Sequence, residues 1–335
     1  MKINDIDDIF LCAYKNELYC ENIKYLSYPV EIYVELTNVC NSDCIYCYKK
    51  KLNTNISFFD YNVLLKILDE IKDRHTLLIL EGGEPLLHPY FEEIYTQIRD
   101  RNINVDIITN GIYLQYLTDD FYKKFKKSND EIQISLDGLG CYNFINRKVS
   151  SVDVIKSIKL LNKKGIKPRI NTVVTKYNIS GIYDFLNFIN NNLGISSITL
   201  NKVIGVSNYR FQAKDNQLAN LMNEIERKTY DFKVFNNLNY TSYKTSCYNK
   251  GSTIHNRCTA LTGKVCIATD LSLYPCVFYE NISEPLGSIK NNTILDIWES
   301  SESKVFRNKK NNIFAKCKIC KDNSTCSQLC IGTQI

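Results

Sequence analysis

An α/β fold, built as a partial (β/α)6 barrel with a small cysteine-rich domain behind it, is what this sequence predicts, and three observations predict it. Between residues 30 and 205, short apolar runs alternate with amphipathic ones, the pattern of successive βα units forming a parallel sheet. Eleven of the fourteen cysteines concentrate in two fields, Cys40 to Cys47 and Cys247 to Cys330. With 335 residues, 44% of them apolar, the chain can bury one large α/β core and a smaller appendage.

Taken in order, residues 1–29 carry an apolar patch at Ile9, Phe10 and Leu11 and then polar, Tyr-rich sequence, read as an N-terminal flap or hairpin shorter than an ordinary added module. Residues 30–205 form the barrel. Its strands are expected at 31–37, 76–81, 103–109, 131–136, 168–175 and 197–203. The first helix, Phe59 to Lys72, has apolar residues at 63, 64, 65, 67, 68 and 71, which define one face. Tyr90 to Arg101, Thr118 to Lys127, Val152 to Lys164 and Ser180 to Asn192 continue the alternation. Asp60, Thr118 and Ser180 signal helix starts, and Gly165 is a C-cap. Residues 206–246 read as a bridging segment with one helix, Asn216 to Lys228, and no motif. In the last region, 247–335, two short strands joined by a polar turn span Gly263 to Cys276, and Thr293 to Glu299 forms a helix with Trp298.

Composition excludes several classes. The formal charge of +6 is modest, and runs such as Lys123 to Lys127 read as solvated helix faces, so nucleic acid is not a partner. No apolar stretch is long enough to span a membrane, and Met1 to Asp8 carry acids where a signal peptide is basic, which points to the cytoplasm. Cysteines at this number in a large chain without an export signal indicate metal or redox sites.

The chemistry centres on Cys40-Asn41-Ser42-Asp43-Cys44-Ile45-Tyr46-Cys47, a tight loop delivered by the first strand. Three adjacent thiolates can each take one iron of a cubane cluster and leave the fourth iron open to a small molecule. A structural zinc loop or three reduced core thiols are the alternatives. One βα unit later comes Glu81-Gly82-Gly83-Glu84-Pro85, where two glycines permit close backbone approach and proline fixes the exit. His88, between Leu87 and Pro89, reads as loop packing rather than an acid or base.

The cysteine spacing, with Tyr46 before the last thiol, resembles the signature of radical S-adenosylmethionine (radical SAM) enzymes, and Gly82-Gly83-Glu84-Pro85 resembles their second motif. The resemblance implies a [4Fe-4S] cluster on Cys40, Cys44 and Cys47 with S-adenosylmethionine on its open iron, cleaved to a 5'-deoxyadenosyl radical. It places Tyr46 near the adenine and the Gly82, Gly83, Glu84 and Pro85 backbone at the cofactor amino group. Ser135 would reach the ribose or methionine part. Arg147 matches an arginine used on the cofactor carboxylate, although Asn143 and Phe144 stand where the family often has His-Asp, and a surface salt bridge is the alternative.

The closing series, Cys317-x2-Cys320-x5-Cys326-x3-Cys330, resembles the SPASM domain of radical enzymes, with paired zinc ribbons as the alternative. The resemblance implies up to two auxiliary iron-sulfur clusters, one on Cys258, Cys276 and Cys330 and one on Cys317, Cys320 and Cys326. Cys266 is taken as a fourth ligand of the first, with Cys247 as its rival. Leu271 departs from the family glycine in the hairpin turn. The resemblance further implies a peptide or protein substrate and a flavodoxin- or ferredoxin-type reductant. Crosslinking, epimerisation or oxidation is the expected outcome, with a small molecule such as an aminosugar, or a non-catalytic electron-transfer role, as alternatives. Sulfatase-maturing members carry an acid directly after the hairpin cysteine, where this chain has Val277.

Overall fold

The computed structural model describes residues 25–51, 56–204, 206–238, 259–281 and 283–318. The first 24 residues of the N-terminal flap, and Cys247, Cys258, Cys320, Cys326 and Cys330, lie outside the described residues. The chain groups into two compact units that interleave along the sequence: the described parts of Met1–Val39, Leu52–Asp106 and Cys258–Cys320 form one, and those of Cys40–Lys51 and Ile107–Arg257 the other.

In the first unit, β1 (Glu31–Thr37) buries Ile32, Val34 and Leu36 completely on one face, the period-2 pattern of a strand packed against helices. α1 (Tyr61–Ile71) starts where the Asp60 carboxylate accepts from the Val63 N–H at 2.9 Å, and it buries Leu64, Ile67, Leu68 and Ile71 at helical spacing. β2 (Leu77–Gly82) then pairs parallel with β1, and α2 (Phe91–Asp100) follows. On the other side of β1 lies β8 (Lys264–Ile267), also parallel, with Cys266 opposite Tyr33. β9 (Ser272–Tyr274) and the short β10 (Gly287–Ser288) complete the order β10-β9-β8-β1-β2. The expected hairpin is thus present, and it extends the sheet begun by the first strand. α8 (Ile294–Trp298) and α9 (Ser301–Lys318) close this unit. The Trp298 indole, fully buried, donates to the Leu26 carbonyl at 2.9 Å. Arg307 lies between the Tyr25 and Trp298 rings at 3.7 and 4.4 Å and donates to the carbonyls of Leu261 and Trp298.

β3 (Asn104–Thr109) runs from the first unit into the second. There α3 (Asp119–Lys126), capped by Thr118, precedes β4 (Glu131–Ser135), α4 (Cys141–Arg147) and α5 (Ser151–Lys163). β5 (Arg169–Val174), α6 (Ile182–Asn192), β6 (Ser197–Lys202), α7 (Asp215–Glu226) and β7 (Lys233–Asn237) follow. The order β4-β5-β6-β7 is parallel throughout. The C-cap of α5 is Lys164, and Gly165, expected in that role, follows it at φ +78, a conformation that costs glycine nothing. The α/β alternation goes one strand beyond the six expected, because β7 lies in the stretch read as a bridge. Within β5, Ile170, Thr172 and Val174 are buried, while Arg169, Asn171 and Val173 on the opposite face are half-buried. Among the described residues no helix is long and apolar enough to cross a membrane.

Candidate metal centre and cofactor site

Loop residues 40–47 form no strand or helix, so their backbone groups need partners from elsewhere. Two neighbours supply them, and a third holds a loop side chain. The N–H groups of Asp43 and Ile45 donate to the carbonyls of Arg147 and Asn146 at the end of α4, at 3.2 and 2.9 Å. The side-chain amide of Asn110, just past β3, donates to the Asn41 side chain at 2.6 Å. Asn208, buried after β6, donates from its side chain to the Tyr46 carbonyl at 2.8 Å. Inside the loop, Cys47 N–H donates to the Cys44 carbonyl at 3.2 Å, and Ser42 Oγ lies 3.3 Å from Cys44 Sγ while donating to the Arg147 carbonyl at 2.7 Å. The result is a pinned loop bearing three cysteines that form no disulfide, Cys40 exposed and Cys44 and Cys47 half-buried.

Behind the loop stands a buried polar group. The Tyr46 hydroxyl donates to the Asp137 carboxylate and accepts from Arg147 Nη1 at 2.8 Å, and Arg147 Nη1 lies 3.8 Å from Asp137. Asp137 is fully buried and also accepts from the Val173 N–H at 2.9 Å, which ties the end of β4 to β5. Burial pushes the Asp137 carboxyl above its ordinary range, opposed by the Arg147 charge and the Tyr46 hydrogen bond. Burial also raises Tyr46 well above an ordinary phenol. For Arg147 burial works against the charge, yet Tyr46, Cys44 and Asp137 more than offset it, so the guanidinium stays protonated. Its Nε is buried with no partner among the described residues.

In the first unit the glycine motif meets the chain that leads into Cys40. Gly83 and Glu84 N–H donate to the carbonyls of Thr37 and Val39 at 2.6 and 2.7 Å. A Cβ on Gly82 would fall 2.4 Å from the Thr37 carbonyl oxygen, and one on Gly83 would fall 2.2 Å from that of Val39. The close approach that these glycines allow is therefore to the chain's own backbone. Glu84, 1% exposed, caps the turn Pro85–Leu87 by accepting from the Leu86 N–H at 3.3 Å.

Ser135 is buried at the end of β4, in register with Asn171. Cys276, buried after β9, forms no disulfide. Cys266, fully buried on β8, has its Sγ in a group with carboxylate oxygens of Glu35 and Glu81, all within 4.8 Å of one another. Cys317 is in α9. His88 is packed as expected, its Nε2 facing the Phe59 carbonyl at 3.2 Å. Sequence reasoning quoted Asp137 without a role and missed Asn208 altogether. A buried aspartate after a strand carries a weak signal in Asp-Gly, whereas nothing local distinguishes Asn208 from the other asparagines.

The three thiols and the orphaned guanidinium donor fit an iron-sulfur cluster with a carboxylate-bearing ligand beside it. Residues 34–189 match the model of the radical SAM superfamily, and residues 258–321 match that of an iron-sulfur cluster-binding domain, SPASM. The chain is 24% identical over 327 residues to the tungsten-containing aldehyde ferredoxin oxidoreductase cofactor-modifying protein of Pyrococcus furiosus, covering 88% of both chains. It is 26% identical over 324 residues to the cysteine-type anaerobic sulfatase-maturating enzyme of Clostridium novyi, covering 87% of this chain and 84% of that one. The crystal structure of Streptococcus suis SuiB bound to precursor peptide SuiA superposes with a TM-score of 0.74 at 21% identity, over 96% of this chain and 75% of that one.

Proposed function

We propose that this chain, which matches the radical SAM superfamily over residues 34–189 and the SPASM iron-sulfur cluster-binding domain over residues 258–321, modifies a peptide or protein residue by hydrogen abstraction. The observation that carries this reading is the pinned loop of three cysteines in no disulfide, with the buried Arg147 Nε, unpartnered among the described residues, on the guanidinium behind it. The cluster and S-adenosylmethionine supply a 5'-deoxyadenosyl radical by one-electron reductive cleavage. Cys40, Cys44 and Cys47 hold the iron, Asn41, Asn110, Asn146 and Asn208 fix the loop, and Arg147 offers its free N–H to the cofactor carboxylate. Tyr46, anchored by Asp137, gives the cofactor an immobile aromatic wall. We assign Cys258, Cys276 and Cys330, with Cys266 or Cys247, and Cys317, Cys320 and Cys326 to auxiliary clusters, with a flavodoxin- or ferredoxin-type protein as electron donor.

A peptide substrate is favoured by similarity to a sulfatase-maturating enzyme over most of the chain. Formylglycine formation is disfavoured by Val277, which cannot serve as the base that those enzymes place after the hairpin cysteine. Crosslinking, epimerisation or another oxidation is the outcome we favour. The cofactor-modifying relative supports a small-molecule substrate as the second reading.

The test is anaerobic mass spectrometry for 5'-deoxyadenosine after adding S-adenosylmethionine and dithionite to reconstituted protein. Production by the parent and none by a Cys40→Ala, Cys44→Ala, Cys47→Ala variant is expected. A fully cluster-loaded parent that makes none is an electron carrier or sensor, and the proposal falls.

A further inference from the structure

Three asparagines stand in a row on the half-open face of the second unit's sheet. The Asn237 side chain on β7 donates to Asn201 Oδ1 at 2.8 Å, and Asn201 on β6 donates to Asn171 Oδ1 on β5 at 2.6 Å. Asn201 is in register with Asn237 and with Val173, so it reaches diagonally back to Asn171. All three are half-buried, whereas Ile170, Ile198 and Leu200 on the opposite face are completely buried. Asparagine is a poor strand residue, and three neighbouring strands carry one on this half-buried face.

We propose that this amide ladder is a docking strip for an extended, uncharged stretch of peptide backbone, a reading that rests on the peptide substrate proposed above. A carboxamide has two N–H donors and an oxygen that accepts twice. The two ladder bonds leave the amide NH2 of Asn171 and the carbonyl oxygen of Asn237 with no bond among the described residues. One end therefore donates and the other accepts. Two strand spacings separate the ends, about 10 Å, which about three residues of extended chain cover. A peptide carbonyl at Asn171 and a peptide N–H at Asn237 meet both needs, while an ammonium or carboxylate finds no countercharge in the ladder. The strip also starts at the right place: Asn171 is in register with Ser135, and Val173, opposite Asn201, holds Asp137 through its N–H. It reads backbone rather than side chains, so it positions a peptide without dictating its sequence there.

The probe is a pool of N-acetylated, C-amidated heptapeptides deuterated at every Cα, beside a second pool with one central amide replaced by an ester. Holoenzyme receives S-adenosylmethionine and dithionite, and the deuterated fraction of 5'-deoxyadenosine is measured together with KM and kcat for its formation from the pool. Deuterium transfer by the parent is expected. Asn201→Leu and Asn237→Leu should each raise KM at least tenfold with kcat held within about twofold, and Asn201→Gln should recover part of the loss. The ester pool should lose as much with the parent and little further with Asn201→Leu. Equal KM in parent and Leu variants overturns the strip, as does 5'-deoxyadenosine that carries deuterium from neither pool. No 5'-deoxyadenosine at all overturns instead the radical reading on which the strip rests.

Discussion

Removing the Asp137 carboxylate would leave the Arg147 guanidinium buried, charged and without its anionic partner. Breaking a buried pair from one side costs about 3–5 kcal/mol, because the remaining charge is uncompensated. Asp137→Ala should therefore lower the apo-protein's unfolding free energy by about 3 kcal/mol in urea titration, and Arg147→Met in the same background should restore much of it. A different residue sets a pH dependence. His88 is buried, its Nδ1 accepts from the Tyr90 N–H at 3.2 Å, and burial holds its pKa below the ordinary 6.5. The folded state then binds fewer protons than the unfolded one, so this contribution is complete above pH 6.5 and is lost as pH falls toward the folded pKa. The urea midpoint of the parent should drop over that interval more steeply than that of His88→Gln. The sequence revealed His88 as packing because apolar and proline neighbours flank it. Asp137 was legible only as part of a turn, since its partners Tyr46 and Arg147 lie 91 and 10 positions away in opposite directions along the chain.

At the scale of elements, helices with strong caps and clear apolar faces were legible to within a few residues, as α1 and α3 show. Two elements were not. α4 is seven residues long and ends in Lys148 at φ +58, so it has too few turns to display a period. β7, Lys-Val-Phe-Asn-Asn, lacks the apolar run of a buried strand because it is exposed or half-buried along its whole length. The β8–β9 hairpin was legible from its turn, but its parallel pairing with β1 was not, because nothing local encodes a partner more than two hundred residues away. Its turn also explains the departure at Leu271. That residue keeps φ +69, the left-handed conformation that glycine adopts without steric cost. Leu271→Gly should relieve about 1 kcal/mol of strain and raise the thermal midpoint, read by circular dichroism, with no change in metal content.

For the whole molecule, the alternation of runs and the two cysteine fields were enough to identify a parallel α/β fold with a metal-bearing C-terminal region. The interleaving of the two compact units was not legible, since chain order and spatial grouping diverge at the cysteine loop itself. If Cys276 serves an auxiliary cubane and Cys40, Cys44 and Cys47 hold the other cluster, Cys276→Ala should lose about four irons and four sulfides per chain by elemental analysis, while the second cluster keeps its paramagnetic signal. The clip from Asn208 to the Tyr46 carbonyl spans 162 positions. A ribosome adding about 5–20 residues per second reaches Asn208 some 8–30 s after Tyr46. Newborn chains therefore expose the thiols well before their last restraint exists, and iron delivered during synthesis would meet a floppy, oxidisable loop. A cluster assembled on the fully pinned loop is therefore a late product of the chain's biogenesis.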